Sequence, residues 1–180
     1  MTNSKENNIK KVLIMGLDNS GKTSIVLCLK GVKNLLSFYS LNPTKGIMIN
    51  KFETLGSEFN IWDFGGQEQY RGDYLKNFED HLIGSNKIIF VIDVQDVDRY
   101  EIALSFLKDI VESIKNGQIQ IEFTIFLHKY DPDLKLIKKE LDDNLIQDLV
   151  SKIRDTFPYD FPFSIHTTSI YTVFQKSSLD

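Results

Sequence analysis

Apolar residues in this chain follow two rhythms. Residues 10–15 (KKVLIM), 87–94 (KIIFVIDV) and 122–127 (EFTIFL) are short continuous runs, rich in β-branched side chains. Runs of that length predict strands buried on both faces. Residues 47–54 and 58–62 flank Leu55-Gly56-Ser57 and predict a β-hairpin, and residues 163–166 predict a last short strand. Between these runs the spacing turns helical. Residues 22–30 (KTSIVLCLK) predict a helix stopped by Gly31. Residues 99–115 put Ile102, Ala103, Phe106, Leu107, Ile110, Val111 and Ile114 on one helical face. Residues 141–157 do the same with Leu141, Leu145, Leu149, Ile153 and Phe157. Residues 67–82 read as a helical stretch with a weak point at Gly72, and residues 32–45 as irregular. Residues 170–176 open a last helix, expected to be short.

Strands alternating with helices predict a mostly parallel sheet covered on both faces. The expectation is a three-layer α/β/α domain with a six-stranded sheet, the hairpin adding one antiparallel edge strand. Residues 1–8 are polar and read as a disordered tail, leaving residues 9–180 as one domain. Sheets of this kind bind ligands beyond the carboxyl ends of their strands, so the residues at those ends carry the search for function.

Composition narrows the classes. The chain has 180 residues and a net charge of −4. That balance argues against binding nucleic acid, which needs clustered Lys and Arg. Cys28 is the lone cysteine, so no intrachain disulfide forms, and with no secretory leader a reducing, cytoplasmic location is expected. No apolar run approaches the roughly 18–20 residues that span a bilayer. Thr2 stands where N-myristoylation needs glycine, and residues 177–180 form no prenylation box. Membrane contact is therefore expected only through partners. Cys28 is expected to fill the core, and His81 and His166 to be structural.

The strand ends hold the chemistry. Gly16-Leu17-Asp18-Asn19-Ser20-Gly21-Lys22-Thr23 fits G-x-x-x-x-G-K-S/T between a predicted strand and a predicted helix. Successive N–H groups there form a nest for a β-phosphate at the positive end of the helix. Asp18, Asn19, Ser20, Gly21, Lys22, Thr23 and Ser24 are the candidate phosphate-binding positions. Lys22 supplies a charge between the β- and γ-phosphates, and the Thr23 hydroxyl suits Mg²⁺. Alone, the loop says only nucleoside triphosphate. Asp63 in Trp62-Asp63-Phe64-Gly65-Gly66-Gln67 ends a predicted strand, where its carboxylate can hold a Mg²⁺ water. Gly66 offers an N–H to the γ-phosphate, and Gln67 can orient an attacking water. Thr44 can bind Mg²⁺ through its hydroxyl and the γ-phosphate through its N–H. In His128-Lys129-Tyr130-Asp131, Asp131 can accept hydrogen bonds from N1–H and the 2-amino group of guanine, which adenine lacks. The Lys129 stem can cover the base face. Thr168-Ser169-Ile170 can bring a backbone N–H to guanine O6.

In this order the motifs make the chain resemble a Ras-superfamily small GTPase over about residues 9–176. The first half is similar to Arf-like proteins in GLDNSGKT, PTKG and WDFGGQE. The second half is similar to Rag/Gtr GTPases, with H-K-x-D and T-S-I. The resemblance implies a P-loop NTPase G domain that binds GTP and GDP with Mg²⁺ and hydrolyses GTP slowly. It implies a molecular switch in signalling or trafficking, served by an activating protein, an exchange factor and effectors, and a Rag/Gtr-like G-domain dimer as one arrangement. Gln67, Lys22 and Thr44 are its candidate catalytic residues, and Thr23, Thr44 and Asp63 (through water) its metal-site residues. His128 stands where most such proteins carry Asn, which ties the phosphate loop to the base loop. No arginine occurs between Lys30 and Lys51, so the first switch has no arginine finger of its own. The alternative is a nucleotide-locked scaffold or dimerisation subunit with little or no hydrolysis; a second rival, a P-loop phosphotransferase, lacks support, because the chain has no Arg-rich lid segment and leaves H-K-Y-D unexplained.

Overall fold

The computed structural model describes residues 9–54 and 56–171. The polar tail expected at residues 1–8 lies outside the described residues; of the last helix expected at residues 170–176, Ile170 and Tyr171 are described and are not helical, and the rest lies outside the described residues. The strands are β1 (Ile9–Gly16), β2 (Ile47–Thr54), β3 (Ser57–Phe64), β4 (Ser85–Asp93), β5 (Glu122–His128) and β6 (Phe163–Thr167). They form one sheet in the order β2-β3-β1-β4-β5-β6. Only the β2–β3 pair at the edge is antiparallel, and the other four pairs are parallel. The sheet expected from the apolar runs is therefore the sheet observed.

Alternation divides β1 between two cores. Leu13 and Met15 face the larger one, built with α3 (Glu68–Lys76), α4 (Phe78–Leu82), α5 (Tyr100–Asn116) and α7 (Asp143–Thr156). Val12 and Ile14 face the smaller one, where Ile25 and Val26 of α1 (Lys22–Leu29) pack on Ile61, Ile89 and Val91. Burying both faces of the same strand requires the unbroken apolar run that residues 12–15 supply.

Several expectations need correction. Residues 32–45 contain a short helix, α2 (Leu35–Tyr39), started by the Asn34 side chain accepting from the Leu36 N–H at 3.0 Å. The hairpin loop is one residue shorter than expected, because Ser57 already pairs with Thr54. The break in residues 67–82 falls at Asn77, not Gly72: Asn77 ends α3 with its Nδ2 donating to the Asp73 carbonyl at 3.0 Å. Gly72 sits inside α3 with open space around it. Ile102 is exposed and Leu104 is buried in its place, since α7 packs beside α5 and turns the buried face that way. α7 starts at Asp143, whose predecessor Asp142 accepts from the Leu145 N–H at 2.8 Å. Leu141 is buried ahead of that helix. Cys28 is exposed on α1 and does not fill the core. A further short helix, α6 (Leu134–Ile137), follows β5. Among the described residues no helix is long and apolar enough to cross a membrane.

Candidate functional site

The turn after β1 is shaped by what lies against it. Gly21 has φ +92°, and a Cβ there would meet the His128 ring at 2.4 Å. Asn19 also takes positive φ. Only glycine fits the Gly21 position, so this backbone comes within contact of the base-side loop. Lys22 opens α1 and is buried, its Nζ donating to the Leu17 carbonyl at 2.5 Å and lying 3.5 Å from Ser20 Oγ. Burial pushes its pKa down to about 8, against the pull of Asp63 and Asp18 and with the help of Arg99. A buried ammonium so placed is a strong site for an anion.

Three oxygen side chains converge beside it. Thr23 Oγ1 donates to Asp63 Oδ2 at 2.6 Å. Thr44 Oγ1 lies 3.2 Å from the same carboxylate oxygen and 3.0 Å from Thr23 Oγ1. Asp63 is fully buried, and its Oδ1 has no hydrogen-bond partner. Burial raises its pKa, opposed by Thr23, Lys22 and Thr44. An orphaned buried carboxylate oxygen beside two hydroxyls is the hard-oxygen donor set that Mg²⁺ prefers, so these residues fit that ion.

The loop after β3 threads between two neighbours. A Cβ on Gly65 would lie 2.2 Å from the Thr44 carbonyl, and one on Gly66 2.1 Å from the Asp18 amide nitrogen. Thr44, Gly66 and the turn after β1 thus form one wall. They enclose a cleft of about 360 Å³ reached by Asp18, Asn19, Ser24 and Gln67 as well. Phe38, Leu41, Asn42 and Pro43 close its other side, and sequence reasoning missed their part. Their signal was weak: an irregular stretch with an aromatic residue just before Pro43-Thr44.

The base-side residues gather at the ends of β5 and β6. His128 is buried, with Nδ1 2.9 Å from Thr168 Oγ1 and its ring against Gly21. Burial lowers its pKa, helped by Lys129 and opposed by Asp93 and Asp131. Lys129 adopts φ +60°, donates to the Asn19 carbonyl at 2.8 Å and pairs with Asp93 at 2.6 Å. Asp131 accepts from Ser169 Oγ on one oxygen and from Gln95 Nε2 at 3.1 Å on the other. Ile170 follows as an exposed residue, and neither it nor His128, Lys129, Asp131 or Ser169 lines the cleft; His128 and Lys129 meet its wall at Gly21 and Asn19.

Two residues here escaped the sequence reading. Gln95, just beyond β4, reaches both Asp131 and the Lys129 carbonyl, the latter at 2.8 Å. Its place at a strand's carboxyl end was the available signal. Arg99 donates to Asp18 Oδ1 at 2.9 Å and to Asp96 Oδ2 at 2.6 Å. It lies near Lys22, but two carboxylates already neutralise it.

Comparison with known proteins agrees with this arrangement. The family described as "Gtr1/RagA G protein conserved region" matches residues 11–176. The chain is 30% identical over 131 residues to ADP-ribosylation factor-like protein 2 of Dictyostelium discoideum, covering 73% of this chain and 66% of that protein. It is 36% identical over 101 residues to ADP-ribosylation factor-like protein alp41 of Schizosaccharomyces pombe, covering 56% and 50%. It is 30% identical over 143 residues to ADP-ribosylation factor-like protein 3 of Caenorhabditis elegans, covering 78% and 71%. The matches thus span from half to 71% of those relatives. Among solved structures, the Arl6 BBS3 small GTPase from Trypanosoma brucei with bound nucleotide analogue GppNp superposes with a TM-score of 0.65 at 27% identity, covering 89% of this chain and 87% of that one.

Proposed function

The chain belongs to the Gtr1/RagA family of Ras-superfamily small GTPases, with Arf-like relatives, and from that premise we propose that residues 9–180 act as a guanine-nucleotide switch that hydrolyses GTP slowly. The observation that carries the reading is the convergence of Thr23, Thr44 and Asp63 beside buried Lys22. Thr44 belongs to a segment that no core holds in place, yet it joins the two core-anchored groups. An equilibrium between a closed and an open position of that segment is what γ-phosphate would bias.

In the proposed reaction the backbone from Asp18 to Ser24 and the Lys22 ammonium hold the phosphates. Thr23, Thr44 and Asp63 would hold Mg²⁺, which supplies charge neutralisation at the β- and γ-phosphates. Gly66 presents its N–H to the γ-phosphate, and Gln67 orients the attacking water. Asp131 selects guanine by accepting from its N1–H and 2-amino group, with Ser169 and Gln95 holding the carboxylate. The stem of Lys129 lies along the base, and the backbone at Ile170 meets O6. Arg99 is committed to Asp18 and Asp96, the Arg71 guanidinium lies over the Phe106 ring, and neither lines the cleft, so among the described residues no cis arginine is placed to stabilise the transition state. Intrinsic hydrolysis is then expected to fall about 10³–10⁵-fold short of a partner-activated rate. An activating protein, an exchange factor and effectors are the partners this reading requires.

The test is displacement of a fluorescent GDP analogue by GTP, GDP and ATP, followed by single-turnover hydrolysis with wild type and Gln67→Leu. Displacement by GTP and GDP but not ATP is expected, with slow hydrolysis that the variant loses. Equal displacement by ATP would remove the base assignment. Hydrolysis absent from wild type even with added activators would favour the nucleotide-locked scaffold.

A further inference from the structure

Tyr74 is the only buried residue of α3. Its ring is fixed edge-on against Phe64 of β3, with centroids 4.9 Å apart, and against His81 of α4 at 6.5 Å. The hydroxyl does something the ring does not require. It donates to the carbonyl of Gly46 at 2.9 Å, and Gly65 N–H donates to that same carbonyl at 2.9 Å. Gly46 has φ +65° and lies two residues beyond Thr44, on the segment that closes the cleft. One carbonyl therefore receives donors from the loop after β3 and from the helix that follows it.

We propose that the Tyr74 hydroxyl is the latch that makes α3 follow the position of Thr44, so that the two nucleotide-sensing segments move as one unit. This rests on the switch reading of the cleft. When Thr44 sits with Thr23 and Asp63, the Gly46 carbonyl stands where both donors reach it. If residues 44–46 swing away, the crowding around Gly65 leaves with them, because the atoms that enclose it are the Thr44 and Gly46 carbonyls, and its N–H opens to water. The Tyr74 hydroxyl does not, because it is held in a buried position by ring contacts on two sides. The unpaired buried donor destabilises that arrangement until α3 itself shifts. The other core contacts of α3, Tyr70, Leu75 and Arg71 over the Phe106 ring, involve only partly buried side chains, so they resist a shift of α3 less than the buried Tyr74 does. Tyr74 thus acts through Gly46 on Thr44: it is a positioning residue and touches no reacting atom.

The experiment compares wild type with Tyr74→Phe in the full chain, which keeps every ring contact and removes only the hydroxyl. Affinities for GDP and for a non-hydrolysable GTP analogue are measured with Mg²⁺, and amide exchange is followed across residues 44–47 and 68–76. In wild type, the analogue is expected to protect both segments together more than GDP does. In Tyr74→Phe, analogue affinity is expected to fall about two- to tenfold, the loss of one neutral hydrogen bond, with GDP affinity unchanged. Protection of residues 68–76 should then no longer depend on which nucleotide is bound. Equal weakening of both nucleotides would reduce Tyr74 to packing and overturn the latch alone. So would wild-type exchange in which residues 44–47 respond and residues 68–76 do not. If wild type shows no difference between the nucleotides in either segment, the switch reading fails and the latch with it.

Discussion

At the phosphate end the groups that would touch nucleotide are mostly backbone, and three glycines leave no alternative side chain. At the base end they are side chains, and one of them departs from the usual type. Gly21, Gly65 and Gly66 each meet a neighbour closer than 2.5 Å where a Cβ would stand. A single added carbon would prop that region open, so the motif keeps its spacing and its residues. His128, by contrast, replaces an amide, and the connection between the loops survives by different means. Its imidazole reaches Thr168, its ring packs on Gly21, and Lys129 adds a bond to the Asn19 carbonyl. Close backbone approach has one solution, whereas bridging two loops with side chains has several.

Lys22→Met gives the largest break in this comparison. Lys22 is the one side chain at the phosphate end whose charge no backbone group replaces. Truncating one partner of a buried charge pair costs about 2–5 kcal/mol. GDP and GTP affinity should therefore drop roughly thirtyfold to several thousandfold, as measured by equilibrium titration. A loss below fivefold would mean that the nest alone carries phosphate binding. Asp131→Asn tests the other end. Leaving guanine donors unpaired costs about 1–3 kcal/mol per group. The variant should weaken GTP binding and admit xanthosine triphosphate, whose 2-oxo group accepts from the new amide. Unchanged selectivity in a competition assay would move base recognition away from Asp131.

The same contrast explains what could be read ahead of the structure. Strands β1, β4 and β5 follow from short apolar runs, because a strand buried on both faces has few polar positions to confuse the pattern, and the β2–β3 hairpin follows from its turn. The phosphate turn follows from fixed glycine spacing. Failures occurred where a long-range neighbour decides. Ile102 and Leu104 both border the apolar stripe of α5, and only the placement of α7 selects Leu104. Gly72 is a poor helix residue by about 1 kcal/mol, yet the break comes where Asn77 caps with its side chain. Cys28 belongs to a helix whose far side stays uncovered by described residues. Gln95 meets Asp131 across 36 positions, and nothing local in V-Q-D announces that contact.

A proton sharpens the phosphate end further. In the free protein Lys22 titrates near 8, below its ordinary 10.5, chiefly because it is buried. Bound phosphate favours the ammonium and raises that pKa. Binding above pH 8 therefore takes up a proton, and nucleotide affinity should fall by up to about tenfold per pH unit in the window from 8 toward 10.5. The free fold behaves oppositely. Its unfolded state holds the extra proton in that window, so the stability of the nucleotide-free protein rises with pH there. Calorimetry at pH 8.5 in buffers of different ionisation enthalpy should register the uptake in wild type and lose it in Lys22→Met. Identical apparent heats in all buffers would place the Lys22 proton outside the binding event.

The smallest effect belongs to Gln95, and it decides how the base end compensates. Asp131 has two oxygens, one held by Ser169 and the other by the Gln95 amide. Each oxygen keeps a second lone pair, and guanine needs one from each in a fixed plane. Gln95 also donates to the Lys129 carbonyl, so it ties the carboxylate to the backbone beside it. Removing the amide leaves Asp131 held by Ser169 alone, with the plane of its carboxylate less tightly fixed. Gln95→Ala should therefore weaken GDP binding by only about 0.5–1.5 kcal/mol, the worth of one hydrogen bond. It should lower discrimination against inosine nucleotides, because a carboxylate held at one oxygen only gains less from the 2-amino group that inosine lacks. The rate of hydrolysis by nucleotide-saturated protein should stay unchanged, since Gln95 lies away from the γ-phosphate side of the cleft. Loss of hydrolysis at saturating GTP would place Gln95 in the coupling between the two ends and dissolve the division drawn between them.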